Sequence, residues 1–274
     1  MTSDDVRTRF HVTDRGKGGP TFLFAHGFGC DQTMWRAVTP TFEADHRVVL
    51  FDFPGAGRAT PAAYDPVRHG SLAGYADDVL AICQALDLED VVFVGHSVSA
   101  MIGVLASIRE PHRFRRLILV GPSPRYLNDG DYIGGFERED IDGLLDTMEK
   151  NYGGWAEAMA PVIMQNPERP ELAGELQDRF CETDPAIARA FAEVTFLSDN
   201  RADLPEVTVP SLILQCSADA IAPETVGVYL RDHLPQSTFH QLRATGHCPH
   251  LSHPEEMAAA MLGYLDAERV TWTG

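Results

Sequence analysis

The sequence predicts a single α/β domain built on a mostly parallel, doubly wound sheet, and three observations predict it. Short apolar runs rich in Val, Ile, Leu and Phe recur along the chain, as in strands buried on both faces of a sheet. Helical periodicity fills the intervals between them, the alternation that produces parallel strands with crossover helices. One stretch, residues 135–203, breaks the alternation with helical patterns alone.

The expected strands are Thr21 to Ala25, Arg47 to Phe53, Val91 to Gly95, Leu117 to Gly121, Ser211 to Cys216 and Thr238 to Leu242. Tyr75, Val79, Ile82 and Leu86 form one apolar helix face, at spacings of three and four. Met101, Val104, Leu105 and Ile108 form a second, and Met257, Met261, Leu262 and Leu265 a third after Pro254. In the interrupting stretch Ile141, Leu144, Leu145 and Met148 share a face, and helices are expected over Trp155 to Met164, Pro170 to Cys181 and Pro185 to Leu197. Gly153–Gly154 and the Asn166 to Pro170 run punctuate them. A helical insertion between two strands of such a sheet is expected to form a lid over the strands' C-terminal edge, where ligands bind. The expected organisation is therefore a core over residues 1–134 and 204–274 with a lid over 135–203.

The 274 residues carry 40 acidic and 22 basic side chains, a formal charge of −18. A nucleic-acid binder gains affinity from Lys and Arg at the phosphates, so this balance argues against that class, and anionic membranes are disfavoured for the same reason. No apolar run is long enough to span a bilayer, and Met1 to Arg9 carries no apolar signal segment. The five cysteines show no CxxC spacing. Cys83 and Cys216 sit in apolar patterns and read as small buried hydrophobes, which fits a soluble cytoplasmic protein.

The chemistry concentrates at strand ends. Val91-Val92-Phe93-Val94 runs into Gly95-His96-Ser97-Val98-Ser99 and then a helical pattern. This is the layout of a nucleophile elbow, in which a tight strand-to-helix turn exposes a serine hydroxyl. Ser99 stands where the pattern usually has glycine. A serine needs a base, and in this layout an acid and a histidine follow it in chain order. Asp219 comes just after the Ser211 to Cys216 run, and His247 follows Thr238 to Leu242 with Gly246 before it. His247 is expected to take and return the Ser97 proton, with Asp219 orienting the ring. Asp199 and Asp203 are weaker acid candidates because neither follows a strand. The Ala25-His26-Gly27-Phe28-Gly29 loop suits an oxyanion hole made by the backbone N–H groups of Phe28 and Val98. His26 reads as a structural residue of that loop. These features together indicate an α/β-hydrolase fold.

Gly55-Ala56-Gly57 lacks a third glycine, since Thr60 stands there, and reads as a structural turn, so no nucleotide is expected. His247, Cys248, His250 and His253 are close in sequence, but Pro249 stiffens the run and no convincing ligand is found elsewhere, so the run reads as one catalytic histidine with residues approaching the last helix, and no metal or cofactor is expected. Phe28, Phe136, Trp155, Met159, Val194 and Phe196 are expected to wall an apolar pocket for a small hydrophobic ligand.

Several stretches carry a family resemblance: HGFGCDQTMW from His26, GHSVSAMIG from Gly95, GPSPRYLND from Gly121, YIGGFE from Tyr132, EKNYGGWA from Glu149, FLSDNR from Phe196 and GHCPHLSHP from Gly246. They resemble the RsbQ-type branch of α/β-hydrolases, which includes bacterial stress regulators and the plant strigolactone and karrikin receptors. GHSVSA resembles the plant form of the elbow, while RFCETDP from Arg179 and LILQCSADAIAP from Leu212 resemble the bacterial form. The resemblance implies a four-helix lid over a hydrophobic pocket and a triad at Ser97, Asp219 and His247. It also implies slow hydrolysis of butenolide-like compounds and a signalling protein partner, a PAS-domain phosphatase in the bacterial branch. The bacterial branch is the preferred match, and two functions follow as expectations: hydrolysis of a small apolar ester or lactone, with a stress-signalling regulatory role as in that branch, or ligand sensing with slow turnover that signals by binding a partner. A cofactor-free haloperoxidase or C–C hydrolase would use the same triad. A haloalkane dehalogenase is disfavoured, because its nucleophile is Asp where this chain has Ser97.

Overall fold

A computed structural model describes residues 2–271, with side chains through Ala267. The strands are β1 (Thr13–Gly16), β2 (Phe22–Ala25), β3 (Arg47–Leu50), β4 (Val91–His96), β5 (Phe114–Val120), β6 (Ser211–Ala218) and β7 (Ser237–Thr245). They form one sheet in the order β1-β3-β2-β4-β5-β6-β7, with β1 antiparallel to β3 and every other pairing parallel. The fold is the mostly parallel α/β-hydrolase sheet expected. The antiparallel edge strand β1 was not foreseen: Thr13–Gly16 is polar and half exposed, with no apolar run to mark it. Arg47–Leu50 is also shorter than expected, since Phe51 to Phe53 leave the ladder as buried loop. β5 begins at Phe114, upstream of the expected Leu117, and β7 runs past Leu242 to Thr245.

The helices are α1 (Ser3–Arg9), α2 (Pro40–Glu43), α3 (Leu72–Ala85), α4 (Val98–Arg109), α5 (Arg138–Lys150), α6 (Tyr152–Met164), α7 (Pro170–Glu182), α8 (Pro185–Phe196), α9 (Glu224–His233), α10 (Pro249–Ser252) and α11 (Pro254–Thr271). The chain start, read from sequence only as polar, forms α1 behind a Thr2 capping box, with Val6 buried. The period-two alternation of the strands divides the core. Leu23, Val49, Phe93, Leu117 and Ile213 pack under one helical layer. Phe22, Phe24, Val92, Val94, Ile118 and Leu212 pack under the other. A third cluster joins α5 to α8 with Cys30, Met34, Ile221 and Cys248 from the sheet's loops.

The topology explains where a site forms. From β2 the chain passes to β3 on one side, then returns to β4 on the other, so a switch point opens between β2 and β4. Ala25 and Gly95 pair across that point. The register therefore sets the His26-Gly27-Phe28 loop beside Ser97.

Candidate active site

Ser97 is the only residue between β4 and α4. Its backbone is held at φ 57° and ψ −124°, a conformation that costs about 1–3 kcal/mol in a non-glycine residue. The surroundings enforce it: the Ser97 N–H donates to the Val120 carbonyl at 2.8 Å, and the Ser99 hydroxyl donates to the His26 carbonyl. Ser99 thus ties the elbow to the neighbouring loop, which explains a serine where glycine is usual.

Asp219 follows β6. Its Oδ1 accepts the N–H groups of Ile221 (2.8 Å) and Ala222 (3.0 Å), leaving Oδ2 to face His247. His247 is held by Gly246, whose N–H reaches the Ala218 carbonyl at 2.7 Å, and by its own N–H to the Ile163 carbonyl on α6 at 2.8 Å. Gly246 has φ +81°, and a Cβ there would lie 1.9 Å from the Met164 carbonyl oxygen, so only glycine fits.

These loops bring three side chains into line. His247 Nδ1 lies 2.7 Å from Asp219 Oδ2, and His247 Nε2 lies 2.8 Å from Ser97 Oγ. All three residues are buried. A carboxylate only accepts, so Nδ1 carries the proton and the Nε2 lone pair faces the serine hydroxyl. The rival acids lie elsewhere: Asp199 pairs with Arg125 and Arg201, and Asp203 accepts from Asn200.

The His26 loop closes the other side. His26 Nε2 accepts the Phe53 N–H at 3.0 Å, the structural role expected, and burial holds its pKa below the ordinary value. Among the described residues, no acceptor takes the N–H of Phe28 or of Val98. Gly55-Ala56-Gly57 is a turn against Asp52, as expected. His250 does not join His247 as a ligand set: its ring packs 4.8 Å from Trp35 and 4.4 Å from His96. Burial lowers the His250 pKa to about 3.

A cavity of about 40 Å³ opens onto Ser97 and His247. Of the expected walls, Phe28, Trp155, Met159 and Phe196 line it. Phe136 and Val194 do not. Phe136 sits behind the wall, its ring 6.1 Å from that of Phe196. Val194 turns the other way on α8, since successive helical residues diverge by about 100°, and it lines a separate surface hollow with Tyr64 and Leu105. Residues not anticipated include Tyr126, Leu144, Ile163, Leu176, Phe180 and Thr195. The leucines, Ile163 and Phe180 carry a helical pattern that reads equally well as core. Tyr126 lies in a loop with no periodic signal, yet its hydroxyl is 3.4 Å from Ser97 Oγ. Burial pushes its phenol pKa up, so it stays protonated. Cys30 and Cys248 also line the cavity, and burial raises both thiol pKa values, which removes them as competing nucleophiles.

Comparison with known proteins agrees with this geometry. Residues 22–260 match the alpha/beta hydrolase family. The chain is 42% identical to a probable esterase, D14L, of Oryza sativa subsp. japonica, over 93% of this chain and 94% of that one. It is 40% identical to the Karrikin insensitive 2 receptor CA of Petunia hybrida, over 95% and 97% of the two chains. The solved structure of a hydrolase from Oleispira antarctica superposes with a TM-score of 0.95 at 40% identity, covering 97% of this chain and 98% of that one. The chain belongs to the α/β-hydrolase family.

Proposed function

We propose that the protein is a serine hydrolase of small, mainly apolar esters or lactones. The observation that carries this reading is the buried hydrogen-bonded chain from Asp219 through His247 to Ser97. In the proposed reaction Ser97 Oγ attacks the carbonyl carbon while His247 Nε2 takes its proton. The carbonyl oxygen, now an anion, is met by the unpartnered N–H groups of Phe28 and Val98. The ester C–O bond breaks, and His247 returns the proton to the departing oxygen. Water then attacks the acyl carbon with His247 again as base; the bond from that carbon to Ser97 Oγ breaks, His247 returns the proton to Oγ, and the acid leaves. Asp219 holds the ring's tautomer and stabilises the imidazolium.

Helices α5 to α8 act as the lid in this reading. The cavity has room for a few waters, far below the several hundred Å³ of ordinary ligand pockets, so substrate entry requires the helices to give way. This small pocket also supports a second reading. A protein whose lid moves on binding can report the ligand to a partner, and a receptor of Petunia hybrida is 40% identical. A stress-signalling role with a phosphatase partner is compatible with both readings. The five unpaired cysteines support a cytoplasmic location. Among the described residues no helix is long and apolar enough to cross a membrane.

The test is incubation of wild type and Ser97→Ala with short-chain aryl esters and butenolides. Product release and protein mass are followed together. Turnover and a transient acyl adduct in wild type, both absent from Ser97→Ala, are expected. Equal turnover in both proteins would rule out Ser97 as nucleophile. Turnover of several per second favours the enzyme, and a few per hour with a lasting adduct favours the sensor.

A further inference from the structure

The cavity is apolar almost throughout, and among the described residues three that line it carry a buried side-chain polar atom without a partner: Thr195, Trp155 and His96, whose Nδ1 is set against Gly27 in the neighbouring loop. Thr195 is 1% exposed, and its Oγ1 makes no hydrogen bond. Trp155 is 4% exposed, and its indole Nε1 makes none either. Both residues line the same cavity as Ser97 and His247, Thr195 from α8 and Trp155 from α6.

Neither is explained by the fold. A buried helical threonine ordinarily returns its hydroxyl to a carbonyl one turn back, but Thr195 does not. Burying a hydroxyl or an indole N–H without a partner is destabilising. Valine has nearly the same shape as threonine and would avoid that cost. Nor does the reaction use these atoms: the proton path runs through His247, and the oxyanion donors are backbone groups. An uncompensated polar atom facing a ligand cavity marks where a ligand's own polar group is read.

We propose that Thr195 forms a specificity subsite for a second oxygen on the ligand, apart from the scissile carbonyl. The chemistry of the two groups selects the class. The indole N–H can only donate, and the threonine hydroxyl can donate or accept. An oxygen that can accept suits both atoms, so the ligand carries a further oxygen, such as a carbonyl or ether, within a compact apolar body. A pure hydrocarbon acyl or alcohol part leaves both atoms unmet. This rests on the serine-hydrolase reading only in sharing its pocket, and it is tested without turnover.

The probes are acetophenone and isopropylbenzene, nearly equal in shape and differing by one carbonyl oxygen. Each is titrated into the full-length Ser97→Ala protein by calorimetry, and into Ser97→Ala carrying Thr195→Val or Thr195→Ser. We expect acetophenone to bind the Ser97→Ala protein more tightly than isopropylbenzene. Thr195→Val should weaken acetophenone about tenfold and leave isopropylbenzene within twofold. Thr195→Ser, which keeps the hydroxyl, should retain the preference. Parallel losses for both probes, no loss for either, or no binding of acetophenone at millimolar concentration would overturn the subsite. If instead Thr195→Val has the expected selective effect while Ser97→Ala still turns over esters, the subsite stands and the nucleophile assignment fails.

Discussion

His96 Nε2 donates to the main-chain carbonyl of His247 at 2.8 Å. The residue just before the serine thus holds the backbone of the histidine that faces it. In the buried neutral ring this bond fixes the proton on Nε2. Burial, with the His250 and His247 rings beside it, keeps the His96 pKa well below its ordinary value.

An acid sensitivity follows. His26, His96 and His250 are all buried, with lowered pKa values. The unfolded chain binds protons at these residues below about pH 6.5, while the folded protein does not. Their contribution to stability is therefore complete above that pH and is lost as pH falls toward the folded values, about 3 for His250. Each buried histidine adds a slope approaching about 1.4 kcal/mol per pH unit in that window. The urea midpoint should be clearly lower at pH 5.5 than at pH 7.5, and His250→Phe should narrow the gap. An equal midpoint at both values would contradict the argument.

Substitutions along the Asp219–His247–Ser97 chain should act on kcat far more than on KM. By analogy with other serine hydrolases, Ser97→Ala and Asp219→Asn should each lower kcat by about 10⁴-fold or more. Asp219→Asn would also weaken the Oδ1 bonds to Ile221 and Ala222. Thermal unfolding measured beside the kinetics separates loss of chemistry from loss of fold. A variant retaining a tenth of wild-type kcat would exclude that residue from the proposed mechanism.

Gly27 offers a test of the loop rather than the side chains. A Cβ there would lie 2.4 Å from His96 Nδ1 and 3.4 Å from Ser97 Cβ. Gly27→Ala must push the loop and His96 apart, shifting the Phe28 N–H relative to Ser97. The expected result is a loss of about 10²-fold in kcat with about 1–3 kcal/mol of destabilisation. Full activity in the alanine variant would show that the Phe28 amide is not an oxyanion donor.

Legibility in the sequence followed burial and periodicity. Strands sunk in the sheet, such as Val91–His96, declare themselves because both faces are apolar. The edge strand Thr13–Gly16 does not, since half of it meets solvent. Ser97, Asp219 and His247 were legible because each sits at a strand end in the chain order that an elbow requires. The cavity wall was only partly so. Helical periodicity identifies an apolar face without saying what lies opposite it. Phe136 and Val194 therefore read as wall but pack elsewhere, while Thr195 is a polar residue that apolar patterning passes over. Tyr126 reaches Ser97 from a loop, where only the folded chain brings the two together.

Helix α7 is fastened to the loop around Phe28 by two ion pairs, and their position sets up a salt dependence. The Arg36 guanidinium meets both oxygens of Glu175, and Arg179 lies 3.5 Å from Asp31. Between them Phe180 presses on Gly29 and stands 6.1 Å from Phe28. The Arg36 side chain is half exposed, so the pair stabilises the closed state by only about 0.5–1 kcal/mol. That is too little to move the melting temperature far, but it acts directly on opening. If ligand enters through a minor open state, removing about 0.5–1 kcal/mol from the closed state raises the open population about two- to fivefold. Glu175→Gln should therefore raise kcat/KM for an aryl ester by that factor. Added sodium chloride should do the same in wild type, because the pair is exposed enough to be screened. Salt should have a smaller effect on Glu175→Gln, where this pair is already gone. If kcat/KM is unchanged by both the substitution and the salt, the contact between α7 and the Phe28 loop does not control entry, and the ligand reaches Ser97 by another part of the wall.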